Sequence, residues 1–90
     1  MVDRDYHRLY IGEWYLGRKH GKGYCRYEKG DTYDGDWVSG KREGAGLRIY
    51  PSGARYVGQW KNNFRHGIGT MAWPNGDVYR GEWKDGEMHG

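Results

Sequence analysis

Cysteine is almost missing from this 90-residue chain: Cys25 stands alone, so no intrachain disulfide framework can form. Long apolar runs are missing too, and none approaches the roughly 20 residues that a membrane-spanning helix requires. At the amino terminus Asp3, Arg4, Asp5, His7 and Arg8 interrupt the stretch where a secretory signal would carry its apolar segment. Hydrophobic residues amount to 36%, too few for a large globular interior at this length. Charge bias is weak, since the net +3 permits an acidic partner without demanding one. The expected compartment is the cytoplasm, and stability has to come from stacking rather than from cross-links.

Present in plenty are glycine, at 17 residues, and aromatic rings, at 17%. Such a polar, glycine-rich composition alone would suit disorder, but the spacing argues against it. Every glycine falls on one of five positions of a 23-residue ruler, counted from the tyrosine of a Y-x-G-x-W string. The strings begin at Tyr10, Tyr33, Tyr56 and Tyr79 and end at Trp14, Trp37, Trp60 and Trp83. A third aromatic position recurs as Tyr27, Tyr50 and Trp73. One supersecondary unit is therefore used nearly four times, and function should belong to the stacked array.

Within each unit the Tyr, Gly and Trp alternate with polar or small residues at period two, a strand signature with the rings on one face. A second such segment follows, for instance Gly46-Leu47-Arg48-Ile49-Tyr50. Helix is a poor fit, because each interior glycine would cost about 1 kcal/mol. Pro51-Ser52-Gly53-Ala54 and its equivalents read as tight turns with a late glycine. The stretches Gly17–Gly21, Gly40–Gly44, Asn63–Gly67 and Gly86–Gly90 read as the other turn. Asn63, the one departure from glycine at its position, tolerates positive φ best among non-glycine residues. Glycines inside strands leave room for a neighbouring ring to lie flat across the backbone. The expected fold class is all-β: an elongated, single-layer, twisted antiparallel meander of stacked β-hairpin repeats.

Y-x-G-x-W, then a turn leading to H-G-x-G, then an aromatic and G-D, resembles the MORN (membrane occupation and recognition nexus) repeat. The resemblance covers residues 10–90, as units 10–32, 33–55 and 56–78 with a partial fourth at 79–90; residues 1–9 form a lead-in whose strand starts near Arg8. Glu43 departs from His20, His66 and His89, Ala54 from Asp31 and Asp77, and Gln59 from an acidic residue. The resemblance implies a non-catalytic module with a groove along one face, which binds protein partners or acidic phospholipids and in some arrays dimerises. It also implies a cytoskeletal or ciliary assembly resembling radial-spoke heads, membrane association, or a regulatory appendage of a larger enzyme.

The expected partner groove consists of Tyr10, Trp14, Tyr27, Tyr33, Trp37, Tyr50, Tyr56, Trp60, Trp73, Tyr79 and Trp83, receiving an extended or helical peptide. Tyr33, Trp37, Tyr50, Tyr56 and Trp60 are its mid-array anchors; the bland alternative is that the rings satisfy only one another. The expected acidic-lipid edge consists of Arg18, Lys19, Lys22, Lys41, Arg42 and Arg65, fading where Asp85 and Glu87 make the fourth turn acidic. The histidines are spaced along the array axis and do not converge on an ion, so a turn-bracing hydrogen bond suits them and no metal is expected. Glu13, Asp36 and Glu82 read as solvated strand positions, and Cys25 as a tolerated side chain. No catalytic constellation, cofactor motif or phosphate loop is visible, and Asp34 and Asp36 break any basic track for nucleic acid. The half unit ending at Gly90 leaves an open edge, which suggests a fragment of a longer array or self-association through sheet edges.

Overall fold

A computed structural model describes residues 7–89. Its elements are β1 (His7–Tyr15), β2 (Arg18–Tyr27), β3 (Thr32–Val38), β4 (Lys41–Ile49), β5 (Arg55–Lys61), β6 (Phe64–Ala72), β7 (Val78–Lys84) and β8 (Glu87–His89). They form one eight-stranded antiparallel sheet in chain order, with no second layer among the described residues. Strands spaced about 4.8 Å apart would stack to about 34 Å, and the molecule measures 37 × 23 × 16 Å. The all-β meander of stacked hairpins is therefore the fold.

The stretch from Gly17 to Gly21, expected to be one turn, is mostly strand. Each two-residue turn sits one position earlier, at Leu16-Gly17, Ser39-Gly40, Asn62-Asn63 and Asp85-Gly86, with positive φ at both residues of every pair. That is the type I′ hairpin, whose twist matches the strands it joins. Asparagine, aspartate and glycine suit such positions; Leu16, at φ 50°, does not.

Gly21, Gly44 and Gly67 lie instead within β2, β4 and β6, again at positive φ. There the ladder skips, between the pairs Gly12–Gly23 and Trp14–Lys19 in the first hairpin and at the equivalent places in the next two. The skip frees one backbone N–H per hairpin, and a side chain of the partner strand accepts from it. Glu13 Oε1 accepts from the Lys22 amide at 2.7 Å, Asp36 Oδ2 from Ala45 at 3.1 Å and Gln59 Oε1 from Ile68 at 2.9 Å. Glu13 and Asp36 are thus bulge caps rather than merely solvated positions. What their position requires is an acceptor oxygen, which Gln59 also provides.

The core is a single file of rings. Trp14, Tyr10, Trp37, Tyr33, Trp60, Tyr56, Trp83 and Tyr79 follow one another edge to face, with centroids 4.9 to 5.7 Å apart. Each such pair contributes about 0.5–1.5 kcal/mol beyond the area it buries. Tyr10, Tyr33 and Tyr56 each lie across a cross-strand glycine pair, Gly12–Gly23, Gly35–Gly46 and Gly58–Gly69, where a methyl on the second glycine would enter the ring and one on the first would strike the facing backbone; Tyr79 lies over Gly81 alone. Each tyrosine hydroxyl donates to the carbonyl three residues on, as Tyr33 does to Asp36 at 2.9 Å. The tryptophans reach into the preceding hairpin: Trp37 Nε1 donates to Gly23 O at 3.1 Å, Trp60 to Gly46 O at 3.2 Å and Trp83 to Gly69 O at 3.1 Å. Burial raises the pKa of Tyr10, Tyr33 and Tyr56, the last to about 12.

Candidate interaction face

A second row of rings runs beside the first and is only half-buried: Tyr27, Tyr50 and Trp73, just past the ends of the even strands or at their last residue. Strand alternation places this row on the same face as the core file. Cations interleave the two rows. The Arg42 guanidinium stacks over Trp60 at 5.0 Å and donates to the Tyr27 hydroxyl at 3.3 Å and to Asn63 O at 3.1 Å. Arg65 repeats this one unit on, over Trp83 at 4.7 Å, donating to the Tyr50 hydroxyl at 3.2 Å and through Nε to Gly86 O at 3.1 Å. Each arginine therefore ties together segments of three successive units. The matching backbone also bridges hairpins, since Arg42 O accepts from the Asn63 amide at 3.1 Å and Arg65 O from Gly86 at 3.0 Å. Lys19 occupies the same place in the first unit, buried 5.6 Å from the rings of both Tyr10 and Trp37. In the last unit the place falls to exposed Met88.

Arg48 makes a third kind of contact. It stacks on Tyr27 at 4.4 Å and Tyr50 at 5.1 Å while pairing with the buried Asp31 carboxylate at 2.7 Å. Burial lifts the Tyr27 phenol to about 12 even though Arg42 and Arg48 both pull it down.

The expected groove therefore divides by depth. Tyr10, Tyr33, Trp37, Tyr56, Trp60 and Trp83 are interior, so four of the five mid-array anchors offer a partner no surface. Tyr27, Tyr50, Trp73 and Tyr79 remain half-buried, and Trp14, at the end of the file, is 41% exposed. Nor do the six cations of the expected lipid edge form one stripe. Lys19, Arg42 and Arg65 fold onto the rings. Lys22 lies on the opposite face, bonded to the Asp36 carboxylate, a bond that raises the lysine pKa and lowers that of the acid. Only Arg18 and Lys41 stay in solvent beside the turns.

Spacing put Lys19, Arg42 and Arg65 beside turns, and nothing in the spacing showed that their side chains fold back by one hairpin. A signal did exist for the Asp31–Arg48 pair, because Ala54 and Met71 replace both members together one unit later. At the histidine position, Glu43 accepts from the Asn62 amide at 2.8 Å, so that residue braces the following turn. His20 packs near Tyr15, with centroids 5.3 Å apart. Among the described residues no group of His, Cys, Asp and Glu is placed to hold a metal ion.

A family model described as MORN repeat matches residues 10–32, 33–55, 56–78 and 79–90. The chain belongs to the MORN repeat family. No individual curated protein matches it. MORN repeats serve in general as interaction modules for proteins and membranes, without catalytic machinery of their own. In this MORN array the arginine clamps hold Tyr27 and Tyr50 beside the ring file, on the face that also carries Trp73.

Proposed function

We propose that this MORN array is a non-catalytic, cytoplasmic adaptor that docks a protein segment along the face carrying Tyr27, Tyr50 and Trp73. One observation carries the reading: these rings keep some of their surface while the file beneath them is closed. Half-exposed aromatics held by stacked neighbours bind with little further loss of side-chain freedom. The cytoskeletal or ciliary setting belongs to the same reading and rests on the family resemblance alone. A displayed peptide library panned against the chain tests it. Binders should lose affinity at least tenfold for Tyr50→Ser and Trp73→Ser, both with sheet circular dichroism intact; binders indifferent to both substitutions would sink the reading.

A second reading has its own support. Leu16 is held at positive φ and 83% exposed, on the turn edge that also carries exposed Tyr15, Val38 and Phe64 in successive hairpins. Arg18, Lys19 and Lys41 border a hollow of about 460 Å3 between the first two such turns. Apolar tips among cations suit an anionic bilayer surface. Vesicle sedimentation across a salt series, with Leu16→Asn as the variant, tests this edge; binding that ignores both salt and the variant would remove it.

A further inference from the structure

Arg42 and Arg65 carry charge that nothing among the described residues neutralises. Their acceptors are a phenol and a backbone carbonyl each, and no carboxylate among the described residues lies within ion-pair distance of either. Arg42 Nε is in addition buried without an acceptor. Between the two guanidiniums lies a hollow of about 160 Å3, walled also by Arg48, Tyr50, Trp60 and Phe64 and by no acidic side chain. Arg48 has Asp31; the other two arginines have no counterpart. Half-buried, unneutralised cations beside aromatic walls create a local positive potential that a partner's carboxylates can answer.

The spacing selects the partner's shape. One repeat is two strands, so equivalent guanidiniums recur about 9.6 Å apart. A helix advances about 10.5 Å over seven residues, whereas same-face residues of an extended strand fall about 6.7 or 13.4 Å apart. We infer that the occupant of this face is a helical protein segment with acidic residues at i and i+7, one facing Arg42 and one facing Arg65, and an apolar residue at i+3 or i+4 over the Tyr50 hollow. The inference rests on the docking reading above and adds the partner's chemistry and pitch. A phosphate-bearing membrane surface shares the negative charge but offers neither the apolar residue nor the fixed pitch.

Fluorescence anisotropy with short, lactam-stapled helical peptides on the full chain provides the test. One peptide carries Glu at i and i+7 with Leu at i+4, a second replaces both Glu by Gln, and a third moves the second Glu to i+5. The Glu peptide should bind about tenfold tighter than the Gln peptide at low salt, with the advantage shrinking as salt rises. The i+5 peptide, which keeps only the Glu facing Arg42, should fall between the two. The advantage should vanish in Arg42→Gln/Arg65→Gln and survive in Arg42→Lys/Arg65→Lys. Equal binding of the Glu and Gln peptides, competed by a groove binder, overturns this inference while leaving the docking face standing. An advantage that persists in the Gln variant overturns it too, as does binding of anionic vesicles with no peptide binding. Should the arginine variants fail to fold, the peptide comparison on the unaltered chain still decides, because a missing Glu advantage is sufficient refutation.

Discussion

Two joints of the array, built on the same backbone, solve the same problem with opposite chemistry. Where the first unit meets the second, Asp31 and Arg48 form a buried ion pair at 2.7 Å. Where the second meets the third, the equivalent positions hold Ala54 and Met71, both buried in the hydrophobic cluster. The register around them is the same, with Tyr33 opposite Arg48 and Tyr56 opposite Met71. The difference teaches that the joint needs its volume filled and its charges matched, and that either an ionic or an apolar pair meets both needs. A mixed pair would leave a buried charge unmatched.

The largest expected effects come from mixing the two solutions. Arg48→Met leaves the Asp31 carboxylate buried without its partner, and Asp31→Ala strands the guanidinium. Either single change should cost about 3–5 kcal/mol in denaturant unfolding. The double change Asp31→Ala/Arg48→Met imports the second joint into the first and should return to within about 1 kcal/mol of the parent, or above it. A double that is as damaged as the singles would break the equivalence of the joints.

Next come the clamps that cross each joint. Arg42→Met, which installs the residue found at Met88, removes a ring stack and the bonds to Tyr27 and Asn63. The expected loss is about 1–3 kcal/mol, together with a shallower unfolding transition as the hairpins uncouple. Arg65→Met should behave alike, since its contacts repeat those of Arg42 one unit on. A sharp, unchanged transition would show that the ring file alone carries the coupling.

Alkaline titration sharpens the contrast through the tyrosines. Tyr27 and Tyr56 have folded pKa values of about 12 against an ordinary 10.0. The raised values mean that the folded state prefers the neutral phenol. The associated stability is therefore complete below pH 10 and is lost as pH rises from 10 through about 12. Tyrosinate absorbance should rise late and together with loss of sheet circular dichroism. Removing Arg48 takes away a cation that lowers Tyr27, so Tyr27 should titrate later still while Tyr56 stays put. Smallest of all is the exposed Lys22–Asp36 pair. Lys22→Ala should leave the unfolding midpoint within error, and added salt should do likewise.

Most of the architecture was legible because it is written in repetition. The glycine spacing placed the strands, and Asn63 correctly marked a positive-φ site. The ring-over-glycine arrangement followed from missing side chains between large ones. Depth was not legible: Tyr33 and Tyr50 look alike in sequence, yet one is closed over by Trp37 and Trp60 while the other stays half-open. The bulge caps were readable in principle, since Gln59 keeps the acceptor oxygen of Glu13 and Asp36 while dropping their charge. The arginine clamps were not, because their partners lie 15 to 21 residues away and depend on how consecutive hairpins overlap.

The order of the strands has a mechanical consequence. Because β1 to β8 succeed one another along the long dimension, inter-strand hydrogen bonds point along that axis, and a pull between the two ends loads them head-on. Bonds loaded this way open strand by strand, like a zip, whereas a pull along the strands would shear whole rows together. The ring file and the arginines then act as the side-chain ties bridging each gap in the direction of load. A chain of this design yields in steps under tension, one strand gap at a time.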